Sequence, residues 1–176
     1  MKQIIIINGT GGSGKDTFVE FVSKYIDTYN FSSIDKVKEI AKMIGWSGTK
    51  SEKDRKFLSD LKKLTTEYND MAFHSIEDGV RYFLSSNQEL MFIHIREPEE
   101  IQRVVTTFQA KTLLIKREGL DNIKTNDSDA NVDQYSYDYI IPNTTLEELE
   151  KSAENFVESL QNQVPAQLKK ELPTKC

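Results

Sequence analysis

One stretch constrains this chain more than any other: KQIIIINGTGGSGKDTFVEFV, residues 2–22. Its four consecutive isoleucines are β-branched and lack polar alternation. That predicts a strand buried on both faces, as in a parallel sheet. Glycines follow at 9, 11, 12 and 14. Behind them Phe18, Val22, Tyr25 and Tyr29 recur at helical spacing, with Val19 and Ile26 beside them, so a helix is expected from about 14 to 29. Strand, glycine loop, helix is the order needed to cup an anion. Gly9, Gly11, Gly12 and Gly14 remove side chains and permit positive φ, so backbone N–H groups can turn inward. The helix start near Gly14 adds free N–H groups, and Lys15 adds a cation. The Gly9-x4-Gly14-Lys15 spacing is that of a phosphate-binding loop, and the strand before it and helix after it weigh against a mere glycine-rich turn.

One position departs from that pattern. Asp16 stands where a hydroxyl residue usually follows the lysine, and Thr17 comes one place late. A carboxylate can hold Mg²⁺ directly or through water, because this ion takes oxygen ligands. An aspartate can equally cap a helix N-terminus. The spacing leaves both roles open. Thr17, further into the helix, and Ser13, inside the loop, complete the candidate phosphate-binding set.

The rest of the chain alternates strands with helices. FSSID (31–35) predicts a short strand, and KVKEIAKMIGW a helix ended by Gly45. SEKD (51–54) reads as a capping box opening a long helix with Phe57, Leu61, Leu64, Tyr68 and Met71 on one face. A further helix is expected over about 71–85, so 36–88 is a mostly helical insert. LMFIHI (90–95) and KTLLIK (111–116) predict strands, with REPEE opening a helix between them: Pro98 in its first turn, Glu99 and Glu100 at its positive end. The polar segment 118–134 reads as a loop and YDYII (137–141) as the last strand. Thr145 and Glu148 are candidates to cap a final helix. From Val164 the tail carries Pro165 and Pro173 and is expected to be loose. Such alternation predicts an α/β fold with a parallel sheet covered on both faces. Ligands in such sheets bind beyond the carboxyl ends of the strands, here Asn8/Gly9, Asp35, Arg96, Arg117 and Asn143.

Composition narrows the function classes. The 176 residues suit one domain, and a net charge of −5 argues against a general nucleic-acid binder. The one cysteine, Cys176, allows no disulfide within the chain, as expected of a cytoplasmic protein, and it lacks the three following residues of a prenylation box. No signal peptide is evident, and the isoleucine run is far short of the ~20 residues of a membrane span.

GTGGSGKDT resembles the loop of P-loop small-molecule kinases, above all the nucleoside monophosphate kinases. Lys followed by Asp is the form in phage-type deoxynucleoside monophosphate kinases and animal-type phosphomevalonate kinases. VKEIAKMIGWSGTKSEKDRKFLSDL is similar to the substrate-binding helices of the deoxynucleotide kinase group, IHIREPEEI to its strand ending in Arg before an acidic helix start, and NDSDANVDQYSYDYIIPNTTLEELE to its closing segment. These likenesses cover most of residues 2–160 in order.

The resemblance implies a three-layer P-loop NTPase fold in one domain, residues 1–163, with a five-stranded parallel sheet in the order 2-3-1-4-5. Residues 36–88 would be the acceptor-binding insert and 118–134 a lid-like loop. It implies ATP and Mg²⁺, a small phosphorylated acceptor, no nucleic-acid polymer or membrane partner, and a monomer or homodimer. Gly9, Gly14, Lys15, Asp16 and Thr17 would hold the donor triphosphate, and Arg96 would meet the acceptor phosphate or γ-phosphate. Arg117 would belong to the region closing over the donor and Asn143 would border its base. Asp35, Lys38 and Arg55 would lie at the acceptor. The chain departs from the pattern at His94, where relatives often carry an Asp for the metal's water shell, with Glu97 a possible substitute. It departs again at Asn126 and Asp129, where relatives tend to have His and Glu.

Each of these side chains also has a structural reading. Arg96 and Arg117 can pair with neighbouring acids at the surface, Arg55 sits within a solvated charge run, and Asp35 can cap the helix after it. His94 reads as a satisfied strand histidine rather than a base, Trp46 and Phe57 as helix-packing aromatics. Tyr135, Tyr137 and Tyr139 read as one face of a strand.

Overall fold

The computed structural model describes residues 2–49, 51–117, 132 and 135–162. Five strands form one parallel sheet: β1 (Gln3–Asn8), β2 (Thr28–Ser32), β3 (Leu90–His94), β4 (Lys111–Arg117) and β5 (Tyr139–Asn143), in the spatial order β2-β3-β1-β4-β5. This is the expected α/β architecture and strand order. The isoleucine run lies at its centre, and its alternate residues face opposite helical layers. Ile5 and Ile7 pack with Phe18, Val19 and Val22 of α1 (Lys15–Val22) and with Phe156, Val157 and Leu160 of α6 (Leu146–Asn162). Ile6 packs on the other face with Ile76, Val80 and Phe83 of α4 (Met71–Ser85) and Ile101 and Val104 of α5 (Pro98–Phe108). Ile5, Ile6 and Ile7 are all fully buried.

The segment between β2 and β3 is helical, as expected. It comprises α2 (Asp35–Met43), α3 (Glu52–Asn69) and α4. Ser51 and Asp54 form the capping box of α3, and Gly45 in left-handed geometry (φ 102°) follows α2. Val37 and Ala41 of α2 bury Leu58 of α3 in a small satellite core. Two ion pairs clamp α3 to α5: Lys62 Nζ to Glu100 Oε2 at 2.7 Å, and Arg103 Nη2 to Asp70 Oδ2 at 2.5 Å, with Arg103 also 3.5 Å above the Phe73 ring.

Three boundaries differ from expectation. Helix α1 stops at Val22 instead of running to about 29, because Lys24 and Tyr25 N–H groups donate to Phe21 and Val22 in a tight turn. That frees Thr28–Ser32 to pair with β3, so β2 is not at 31–35. Tyr29, which extended the helical pattern, and Phe31 lie on one strand face and pack against each other and, through Tyr29, on Tyr82 of α4. Asp35 is therefore not a strand end but the first residue of α2. Strand β5 starts at Tyr139, not Tyr137. Asp138 Oδ2 accepts from the N–H and hydroxyl of Thr112, holding the chain as it crosses onto the sheet. Hence only Tyr139 packs with Phe156, while Tyr135 and Tyr137 join the opposite core; the three do not share a face. Of the expected lid-like loop, 118–134, all but residue 132 lies outside the described residues, as do Asn126, Asp129 and the 164–176 tail. Among the described residues no helix is long and apolar enough to cross a membrane.

Candidate functional site

The carboxyl ends of β1, β4 and β5 meet at the glycine loop. Gly9, Gly12 and Gly14 all have positive φ (149°, 75° and 96°), so each uses a conformation that a side chain would strain. Gly9 and Gly14 are also sterically required. A Cβ at Gly9 would come 2.6 Å from the Ile115 carbonyl oxygen, and one at Gly14 would come 2.4 Å from Asn143 Nδ2. That amide donates to the Ser13 carbonyl at 2.8 Å, fastening the end of β5 to the loop. Gly11 is exposed at the loop tip.

Lys15 curls back over the loop. Its ammonium donates to the Gly9 and Thr10 carbonyls at 2.6 and 2.9 Å and reaches Ser13 Oγ at 3.4 Å. From the far side Arg117, the last residue of β4, donates to the Gly12 carbonyl at 3.2 Å. Two cations thus flank the N-terminus of α1, whose free N–H groups carry partial positive charge. A cavity of about 360 Å³ opens there, lined by residues 12–17, Arg117, Asn143 and the first turn of α6. Eight of the candidate residues therefore share one cavity: Gly12, Ser13, Gly14, Lys15, Asp16, Thr17, Arg117 and Asn143. Thr145 caps α6 by accepting from Glu148 N–H at 3.2 Å. Thr145, placed by the sequence only as a cap, and its neighbour Thr144 also line this cavity.

Gly14, not Asp16, holds the N-cap position of α1; Asp16 follows in the first turn, and its carboxylate is 89% exposed. The capping role is therefore not the one it has in this structure. One Asp16 oxygen lies 4.0 Å from Nδ1 of His94. Nε2 of His94 is 2.7 Å from Asn30 Oδ1 on the neighbouring strand, so His94 is a hydrogen-bonded strand histidine, as the sequence suggests, yet it also faces the loop. Burial pushes its pKa below the ordinary 6.5. Asp16 opposes the shift, Lys15 adds to it, Asp35 opposes and Lys38 adds. Those four charges place His94 between the glycine loop and the start of α2. Neutral, with Nε2–H given to Asn30, it presents a lone pair on Nδ1.

On that second side, Asp35 Oδ2 accepts from Ser32 N–H at 3.2 Å and Oδ1 pairs with Lys38 at 3.0 Å. Asp35 and Lys38 thus lie together beside His94. Arg55 does not join them: it is exposed on α3, and no contact with a described residue ties it to the strand ends. The α3 cation that reaches the ends of the elements beside the crevice is Lys62, on Glu100 of α5, 3.5 Å from Glu97 and 3.4 Å from Ser33 Oγ just after β2. Burial holds the Glu100 carboxyl above its usual range, against the pull of Lys62. Lys62 escaped the sequence reading because it is one lysine among many on a charged helix. Arg96, two residues beyond β3, is half-buried. Its carbonyl accepts from Asn8 Nδ2 at 3.3 Å.

Among the described residues no group of three or more His, Cys, Asp or Glu could hold a metal. A Mg²⁺ ion here would take one protein oxygen from Asp16 and the remainder from phosphate and water, which fits its habit of keeping several waters.

No family model matches the chain, and no curated protein sequence does. Solved structures do. A putative kinase from Chloroflexus aurantiacus is 16% identical with a TM-score of 0.52, over 92% of this chain and 97% of that one. TT1252 from Thermus thermophilus is 15% identical with a TM-score of 0.50, over 90% and 98%. A shikimate kinase from Aquifex aeolicus is 15% identical with a TM-score of 0.49, over 92% and 99%. At such identities the likeness is one of fold.

Proposed function

We propose that this protein is an ATP-dependent small-molecule kinase whose acceptor is a nucleoside or deoxynucleoside monophosphate. The observation that carries the reading is the cavity at the start of α1, with Lys15 folded over the glycine loop and Arg117 across from it. In the transfer, an acceptor oxygen forms a bond to the γ-phosphorus as the bond from phosphorus to the β,γ-bridging oxygen breaks, releasing ADP. The protein's work is to hold these atoms in line and to neutralise charge spreading over the phosphoryl oxygens. Lys15 and the α1 N–H groups serve the donor phosphates, with Arg117 beside them. Arg96 serves the phosphoryl group or the acceptor phosphate. Asp16 would hold Mg²⁺, which would supply positive charge against that of the donor phosphates. Asn143 and the first turn of α6 border the donor base. Asp35 and Lys38 bind the acceptor on the far side of His94, within the helical insert. An ionised phosphate oxygen is already a nucleophile, so no general base is needed.

The experiment is a coupled kinase assay with Mg²⁺ and ATP across ribo- and deoxynucleoside monophosphates, with phosphomevalonate as the contrasting acceptor. Lys15→Ala should stay folded and lose activity by roughly two to three orders of magnitude, the usual cost of removing one charge-stabilising donor. Unchanged turnover in that variant would refute the assignment. His94, where an acid is expected, favours one second reading, a nucleotide-binding sensor. In that case ATP raises the melting temperature while no acceptor is turned over. Saturation at 100 times Kd adds about 2.7 kcal/mol of stability, so binding is readily seen.

A further inference from the structure

Asn8 stands outside the cavity and is fully buried, yet its side chain touches three separate parts of the structure. Its Oδ1 accepts from the Gly9 N–H at 2.7 Å. Its Nδ2 donates to the Arg96 carbonyl at 3.3 Å and to the Tyr137 hydroxyl at 2.7 Å. The Tyr137 hydroxyl in turn donates to the Val132 carbonyl at 3.0 Å. The orientation of this amide is determined by its backbone partners: an N–H only donates and a carbonyl only accepts, so oxygen must face Gly9 and nitrogen Arg96. The tyrosine hydroxyl must then accept from Asn8, because its own proton is committed to Val132. The chain of bonds is directional, and no member can be reversed without leaving a buried polar atom unpaired.

We propose that Asn8 and Tyr137 are positioning residues: Tyr137 locks the Asn8 amide, and the amide sets the entry of the phosphate loop at Gly9 relative to the backbone at Arg96. Gly9 is the hinge point of that entry, since its φ of 149° is available to few residues and Ile115 closes off one side of it. Arg96 follows β3 and Gly9 follows β1, and the two strands are paired neighbours. Strand pairing ends with Ile7 opposite His94, and beyond it the Asn8 side chain spans the gap between the two backbones. Asparagine suits the position because its amide offers an acceptor to Gly9 and a donor to Arg96 and Tyr137. Aspartate would keep the Gly9 bond but set a carboxylate oxygen against the Arg96 carbonyl, and serine would be too short for both.

The test has one arm free of ligand and one resting on the proposed nucleotide binding. In ¹⁵N-labelled protein, Tyr137→Phe should speed hydrogen exchange of the Gly9 amide by about fivefold, the equivalent of one lost hydrogen bond, although residue 137 does not touch Gly9. It should raise the ATP dissociation constant by a similar factor. In an Asn8→Asp background, which has already lost the two bonds donated by Nδ2, Tyr137→Phe should add less than a twofold further effect; should the double variant fail to fold, Gly9 exchange in the single Tyr137→Phe variant still decides. A packing-only tyrosine would lower the melting temperature, leave Gly9 exchange unchanged, and multiply with Asn8→Asp; that result overturns the relay. Failure of the wild-type protein to bind ATP would refute the nucleotide reading alone, and Gly9 exchange would still decide the relay.

Discussion

Three glycines of one loop sit in three different surroundings, which makes alanine at each a graded test of the structure. At Gly12, φ is 75° and a Cβ would meet nothing within 4 Å. The cost of Gly12→Ala is then the left-handed backbone alone, about 1 kcal/mol. At Gly14 the same strain applies, and the new methyl displaces Asn143 Nδ2, which would lie 2.4 Å away. Asn143 would lose its bond to the Ser13 carbonyl, leaving a buried amide unpaired at ~1–3 kcal/mol. Gly14→Ala should therefore cost about 2–5 kcal/mol. At Gly9 the obstacle 2.6 Å away is the Ile115 carbonyl, backbone of a buried central strand that cannot rotate aside. Gly9→Ala should be the worst, at ~4 kcal/mol or more, the range of exceptional single substitutions. For a chain of this size 1 kcal/mol moves the melting temperature by about 2–4 °C. Gly12→Ala should thus stay within a few degrees of wild type, with its loss seen instead in ATP affinity because Gly12 lines the cavity. Thermal melts and urea titrations of the three variants decide it. A Gly12→Ala protein as unstable as Gly9→Ala would refute the loop geometry.

Two further predictions concern stability. His94 is held neutral by burial, so its folded pKa lies below the unfolded 6.5. At acidic pH the unfolded chain takes up more protons there than the folded one. Its contribution is therefore present above about 6.5 and lost as pH falls below it. Melting temperature should drop between pH 7.5 and 5.5, and His94→Gln should flatten that slope; an unchanged slope would show that other groups cause it. Asp70 has φ 56°, joining α3 to α4, and pairs with Arg103. Asp70→Ala loses the pair and keeps the strain, whereas Asp70→Gly loses only the pair. Glycine should be less damaging than alanine by ~1 kcal/mol in urea midpoint analysis, and equal losses would argue against strain at this joint.

How much could be read in advance depended on whether a signal was local. The isoleucine run is an extreme case: its burial on both faces follows from its composition, and Ile5 and Ile6 do face opposite layers. The capping box at Ser51 and Asp54 is equally local, since donor and acceptor lie three residues apart. The end of α1 was not legible, because Tyr25 and Tyr29 continue its apolar period and only pairing with β3 pulls Tyr29 into a strand. The glycine spacing announced the cavity, while Asn143, reached through strand order, took its place in it from a distance of 130 residues. Arg55 and Lys62 show the limit most clearly. Both are cations on one charged helix, seven positions apart, hence on nearly the same face. Only the docking of α3 against α5 decides that Lys62 is drawn onto Glu100 while Arg55 stays exposed. Periodicity can place a residue on a face, but which end of that face meets the crevice is a tertiary fact. The acceptor side of the proposed site is built on such facts; the donor side starts from a contiguous loop, and only Arg117 and Asn143 with the start of α6 are brought to it by strand order.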